Sequence, residues 1–124
     1  MAVESSPHQL ITARRVIGTS VFDAAGQRIG QVEDLSIHKV SGRVMFAILS
    51  FGGVLGMGER YHPLPWSILE YDPERAGYVV SLEKAPIESA PSLNRDELEE
   101  FGAGESWTKR LYEYYEPYGP FPYV

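Results

Sequence analysis

The chain has 124 residues and no cysteine, which bounds it to one compact domain with a short appendage and excludes disulfides and thiolate metal centres. Hydrophobic residues make up 44% and charged residues 23%, enough apolar material for a core and too much for wholesale disorder. Acids number 17 against 11 bases, a net charge of −6, which argues against free nucleic acid as a partner because that contact needs a basic surface.

Residues 1–10 read as a polar leader without the basic and then apolar order of a secretory signal. No apolar run approaches the roughly 18 residues of a membrane span. The expectation is therefore a cytoplasmic protein with no membrane span.

From Val16 to about Leu82 short β-type runs alternate with turn signals. Asp23-Ala24-Ala25-Gly26 places Asp at the first turn position, where its carboxylate can accept from the backbone ahead, and Gly at the fourth. Between Ile29 and Ile37 the alternation slips, which predicts a bulge near Gly30. Ser41-Gly42 marks a hairpin between Ile37 and Val44. Asp72-Pro73 with Gly77 at the exit marks another. Each turn joins two β-rich runs, which predicts an antiparallel meander.

The strand Arg43–Phe51 is apolar at both parities. One face carries Val44, Phe46, Ile48 and Ser50, and the other Met45, Ala47, Leu49 and Phe51. A strand with one wet face alternates, so both faces are expected to be covered. One face can line a barrel interior. The other needs a helix of the same chain or a second subunit, and Met45, Leu49 and Phe51 are candidates for that contact.

Glycines 52, 53, 56 and 58 follow. They lead into Glu59-Arg60 and a proline-bearing strand rather than a helix N-terminus, so a tight corner is expected in preference to a phosphate loop. Pro63 and Pro65 lie two apart, so their missing N–H groups point the same way, as on an edge strand. Trp66 is placed to plug the barrel or cap one end.

From Glu83 the character changes. Ala85-Pro86 and Ala90-Pro91 interrupt the strand pattern. Asn94 with Glu97 three residues later predicts a capped helix, Leu93 and Leu98 are spaced as its hydrophobic staple, and Gly102 can end it. A second helix is expected from about Ser106 to Glu116, stopped by Pro117. Its apolar stripe is Trp107, Leu111, Tyr114 and Tyr115.

Chemistry-bearing clusters are sparse. His8, His38 and His62 have no paired-ligand spacing and read as solvated imidazoles. His62 beside Glu59 and Tyr61 is the one whose pKa a carboxylate would raise. Asp96, Glu97, Glu99 and Glu100 suit a solvated helix start in preference to metal ligands or an acid–base pair, with contact to a basic protein partner as a weaker alternative. No Gly-x-Ser-x-Gly elbow occurs. No catalytic, cofactor or metal residue is assigned.

The pieces Val16–Phe22, Arg28–Leu35, Phe46–Gly53, Gly56–Glu59, Leu64–Trp66 and Tyr71–Glu74 resemble the PRC-barrel family in order and spacing over residues 10–85. That family includes the cytoplasmic domain of the photosynthetic reaction-centre H chain, a domain of the ribosome-maturation factor RimM and many small free-standing proteins. The aromatic ending from Tyr112 to Val124 looks like the tail of some stand-alone bacterial members. The resemblance implies a mainly β protein: a small antiparallel barrel at residues 11–85 with a C-terminal helical and aromatic extension at 86–124. It also implies an interaction or assembly module with no shared catalytic motif.

The leading expectation is a non-enzymatic, self-associating binding module. Its interaction candidates are Met45, Leu49, Phe51, Trp107, Leu111, Tyr114, Tyr115, Tyr118 and Phe121, because tyrosine and apolar side chains suit interfaces. The tail is equally read as folding over its own barrel. The alternatives are an adaptor in ribosome maturation or RNA processing acting through an unidentified protein partner, and a small-ligand binder or enzyme using His62, Glu59 and Tyr61.

Overall fold

The computed structural model describes residues 10–51, 60–101 and 105–118. The glycine corner, Glu59, Gly102, His8 and Phe121 lie outside the described residues. A helical turn α1 (Ala13–Val16) leads into six strands: β1 (Ser20–Phe22), β2 (Arg28–Ile37), β3 (Val44–Phe51), β4 (Arg60–Pro65), β5 (Leu69–Asp72) and β6 (Gly77–Val80). Helices α2 (Lys84–Glu88), α3 (Arg95–Glu99) and α4 (Glu105–Tyr115) follow. Val16, expected in a strand, instead ends α1 as a buried residue.

The six strands form one sheet in the order β4-β3-β2-β1-β6-β5. All neighbours are antiparallel except β1 and β6, which run parallel, so the chain departs from a pure meander. The order forces the sheet to curl. β4 and β5 are opposite edges, yet only the 3₁₀ turn Trp66–Ile68 separates them. In a flat six-stranded sheet those edges would lie about 24 Å apart. Four residues of chain reach at most about 14 Å. The result is a half-barrel whose two edges are drawn together by that turn. Trp66 sits there half-buried, its ring 5.4 Å from that of Tyr78, so it caps an end and does not plug the interior.

Bulges supply the bending. The β1–β2 register pairs Val21 with Gly30 and Phe22 with Arg28, skipping Ile29, where the sequence pattern slips. The β2–β3 ladder skips Glu33 on one strand and Met45 on the other. Extra residues of this kind increase local twist.

The turns form as their residues dictate. The Asp23 carboxylate accepts from Ala25 N–H at 3.0 Å and Gln27 N–H at 2.8 Å, and Gly26 takes φ +87°. Between β2 and β3, Gly42 at φ +79° donates to the His38 carbonyl. The β5–β6 turn differs from expectation. Ala76, not Gly77, takes the left-handed conformation, at φ 53°. Gly77 already belongs to β6, and a Cβ there would lie 2.6 Å from the Ser20 carbonyl oxygen, so its task is to let β6 approach β1.

The proline edge behaves as its spacing demands. Tyr61 N–H points away from β3 and donates to Leu93 at 2.9 Å, and Leu93 N–H returns a bond at 2.8 Å. N–H directions alternate along a strand, so Pro63 and Pro65 turn their missing donors to the same outer side. Tyr61 is thus the one residue of that parity in β4 with an N–H to donate, and the Leu93 carbonyl accepts it.

Phe46, Ala47, Ile48 and Leu49 are buried in succession, so both faces of β3 are covered within one chain. Leu49 shares its face with Val32 and His62, its partners in the ladder. On the opposite face the Phe46 ring meets Phe101 edge-on at 5.8 Å and Tyr112 at 5.5 Å. The C-terminal segment provides that cover. α3 is held by the expected reciprocal cap, with Asn94 Oδ1 accepting from Glu97 N–H at 2.8 Å and Glu97 Oε1 from Asn94 N–H at 2.9 Å. α4 ends at Tyr115, and Pro117 lies in the 3₁₀ turn that follows. α2 forms where a break was expected. Pro86 occupies its first turn, where a helix has no N–H partner to lose.

Candidate interaction surface

Two places gather the side chains with chemical or binding potential. The first is a cleft of about 630 Å³ between the β2–β3 turn and the α3–α4 segment. Met45, Phe46, Phe101 and Tyr112 make it apolar and aromatic. Met45 is the extra residue of the β3 bulge, which re-aims its side chain so that it can line the same cleft as its neighbour Phe46. A second cleft of about 340 Å³ shares Met45 and Tyr112 and extends past Pro65 and Trp66.

The walls of the first cleft carry opposite signs. His38 and Lys39 come from the β2–β3 turn, and Glu99 and Glu100 from the end of α3. His38 Nδ1 accepts from Ser41 N–H at 3.1 Å, which ties the imidazole to its own turn. Among the described residues Lys39, Glu99 and Glu100 form no ion pair. Val40 stands 92% exposed at the turn, and Ile37 beside it is 50% exposed. Leu10, at 91%, is as exposed, so what distinguishes Val40 is its place at a turn tip on the lining of an aromatic cleft, where Ile37 adds to it.

The second gathering is the tyrosine cluster at the end of α4. The Tyr114 and Tyr115 rings are 5.1 Å apart, and each lies 6.4 Å from Tyr118. Tyr114 donates to the Pro86 carbonyl at 2.7 Å, joining α4 to α2. Tyr115 is fully buried, and its hydroxyl has no hydrogen-bond partner among the described residues. Burial, with Tyr114 and Tyr118 alongside, pushes its phenol far above the ordinary value.

The interaction candidates thus separate. Leu49, Leu111 and Tyr115 lie inside the chain's own core. Met45 lines the cleft. Trp107 is half-buried with the Arg110 guanidinium 4.6 Å over its ring, and Tyr114 is also half-buried. Tyr118 is exposed. Phe51 belongs to β3, but its side chain is outside the described set. The cleft residues Ile37, Val40 and Phe101 escaped sequence reasoning, and Tyr112 was read only as the start of the aromatic ending. The signal that points to them is Val40 itself, an aliphatic residue between Lys39 and the Ser41-Gly42 turn.

His62 is not a solvated imidazole. It is 4% exposed on β4, and its pKa is lowered to about 4, first by burial and further by the Arg60 charge. A hydrogen bond to the Ile87 carbonyl of α2 and the nearby Glu88 oppose that shift. The imidazole is a packing element between β4 and α2 and is not among the residues of the cleft. Tyr61 is buried beside it in sequence, but its hydroxyl is hydrogen-bonded by Arg95, whose guanidinium also lies over its ring.

The PRC-barrel domain profile matches residues 8–84, more than half of the chain. The chain belongs to the PRC-barrel family. A search of the curated proteins finds no match to it. In this PRC-barrel protein the matched region takes in the whole six-stranded half-barrel, while α3 and α4 follow it. The family is generally a non-catalytic module. No helix among the described residues is long and apolar enough to cross a membrane.

Proposed function

We propose that this PRC-barrel protein is a non-enzymatic interaction module that associates with itself. The observation that carries the reading is the exposed Val40 and Ile37 beside an aromatic cleft whose walls hold charges of opposite sign, with no ion-pair partner among the described residues. The described residues already cover both faces of β3, so among them this surface is apolar area left over beside the core. Interfaces favour such an arrangement, with aromatic and aliphatic groups at the centre and charge at the rim. The strongly shifted histidine supports the non-enzymatic reading, because it serves the packing of β4 on α2 and is not one of the cleft's lining groups.

Light scattering coupled to size-exclusion chromatography tests the proposal. Across low to high micromolar concentration the molar mass should rise from one chain toward two. A mass of one chain over the whole range contradicts self-association.

A further inference from the structure

We propose that the cleft is the two-fold interface itself, with a second copy of this chain as its occupant. This rests on the self-association reading and assigns that reading a face. A two-fold contact requires a self-complementary surface, because residue i of one copy meets j of the other and j meets i. The cleft has that layout. Lys39 stands on the β2–β3 wall, Glu99 and Glu100 on the α3 wall, and the aromatic floor lies between them.

A half-turn about an axis that lies between the two copies and runs along the cleft sets each wall against the opposite wall of the other copy. Lys39 of each copy then faces Glu99 and Glu100 of the other, and none of these three has an ion-pair partner among the described residues of its own chain. The same half-turn brings the exposed Val40 over the floor of the opposite copy. The chain carries −6 overall, so two copies repel in most orientations. This face offers an arrangement in which opposite charges meet, and that selects it over the rest of the surface.

Charge exchange tests the face. Lys39→Glu alone sets like charges together at both ends of the interface, and so does Glu99→Lys combined with Glu100→Lys. Each variant should dimerise at least about tenfold more weakly than the original chain. Mixing the two variants should restore the mass of two chains, because every wall then meets its opposite. Val40→Ser should also weaken association, and its thermal unfolding midpoint should stay near that of the original chain because the residue is exposed.

If the original chain dimerises and the charge variants dimerise as tightly, the face is wrong and self-association stands. If the original chain is monomeric throughout, both readings fall. Two weakened variants that do not recover on mixing also overturn the two-fold assignment.

Discussion

Replacing Tyr115 by alanine should lower the unfolding free energy by about 3–5 kcal/mol, while replacing it by phenylalanine should leave stability unchanged or raise it by about 1 kcal/mol. The two substitutions separate the ring from the hydroxyl. The ring is fully buried and packs against Tyr114 and Tyr118. Its removal leaves a cavity that a helix held by few turns can only partly fill. The hydroxyl is buried without a hydrogen-bond partner among the described residues, so it lost water on folding and regained nothing there. Phenylalanine keeps the packing and removes that cost. Urea unfolding of the three proteins at neutral pH measures both effects. An alanine variant within about 1 kcal/mol of the original would show that α4 does not pack on the barrel in solution.

Acid should destabilise the protein through His62. The folded imidazole titrates near 4 and the unfolded one at the ordinary 6.5. Between those values the unfolded chain binds the proton and the folded chain does not. Stability from this group is therefore complete above about pH 6.5 and falls as the pH drops toward 4, by about 2–3 kcal/mol in all. Burial is the leading cause, so the effect should resist salt better than a surface ion pair would. Carboxylates add their own acid sensitivity, and comparison with a His62→Gln variant isolates the histidine. Glutamine retains a donor toward the Ile87 carbonyl but does not titrate in this range. Urea unfolding at pH 7 and near pH 4 should show a smaller acid loss in the variant, by that same amount. Equal losses in the two proteins would contradict the assignment.

The barrel was legible where local chemistry dictates geometry. Asp23 and Gly26 fixed one turn and Gly42 another. Pro63 and Pro65 marked an edge before any coordinate was known, because a residue without an N–H cannot serve an inner ladder. Asn94 and Glu97 announced the start of α3, and Pro117 the end of α4. The parallel pairing of β1 with β6 was hidden, since the turns speak only for neighbours in sequence and this pair joins distant segments. Pro86 reads as a breaker unless the helix start is known, so α2 was missed.

The candidate surface was less legible than the fold. Uniform hydrophobicity along β3 showed that both faces are covered, but it could not say by what. In the structure Phe46 receives Phe101 and Tyr112, while Leu49 faces the other way beside His62. The cleft is assembled from a hairpin turn, a bulge and two helices, and no local pattern joins them. Val40 is an aliphatic residue exposed at a turn tip, and it lies on the lining of the cleft. His62 was misread for a related reason. A polar residue in a strand looks solvated until the helix that supplies its carbonyl partner is known.

The C-terminal helices complete the core of the half-barrel, with Leu111 and Tyr115 fully buried in it. Native-state hydrogen exchange of the full chain tests it most directly. The amides around Leu111 and Tyr115 should exchange as slowly as those of Phe46 to Leu49, through the same cooperative unfolding. Fast exchange along α4 beside a protected β3 would contradict it.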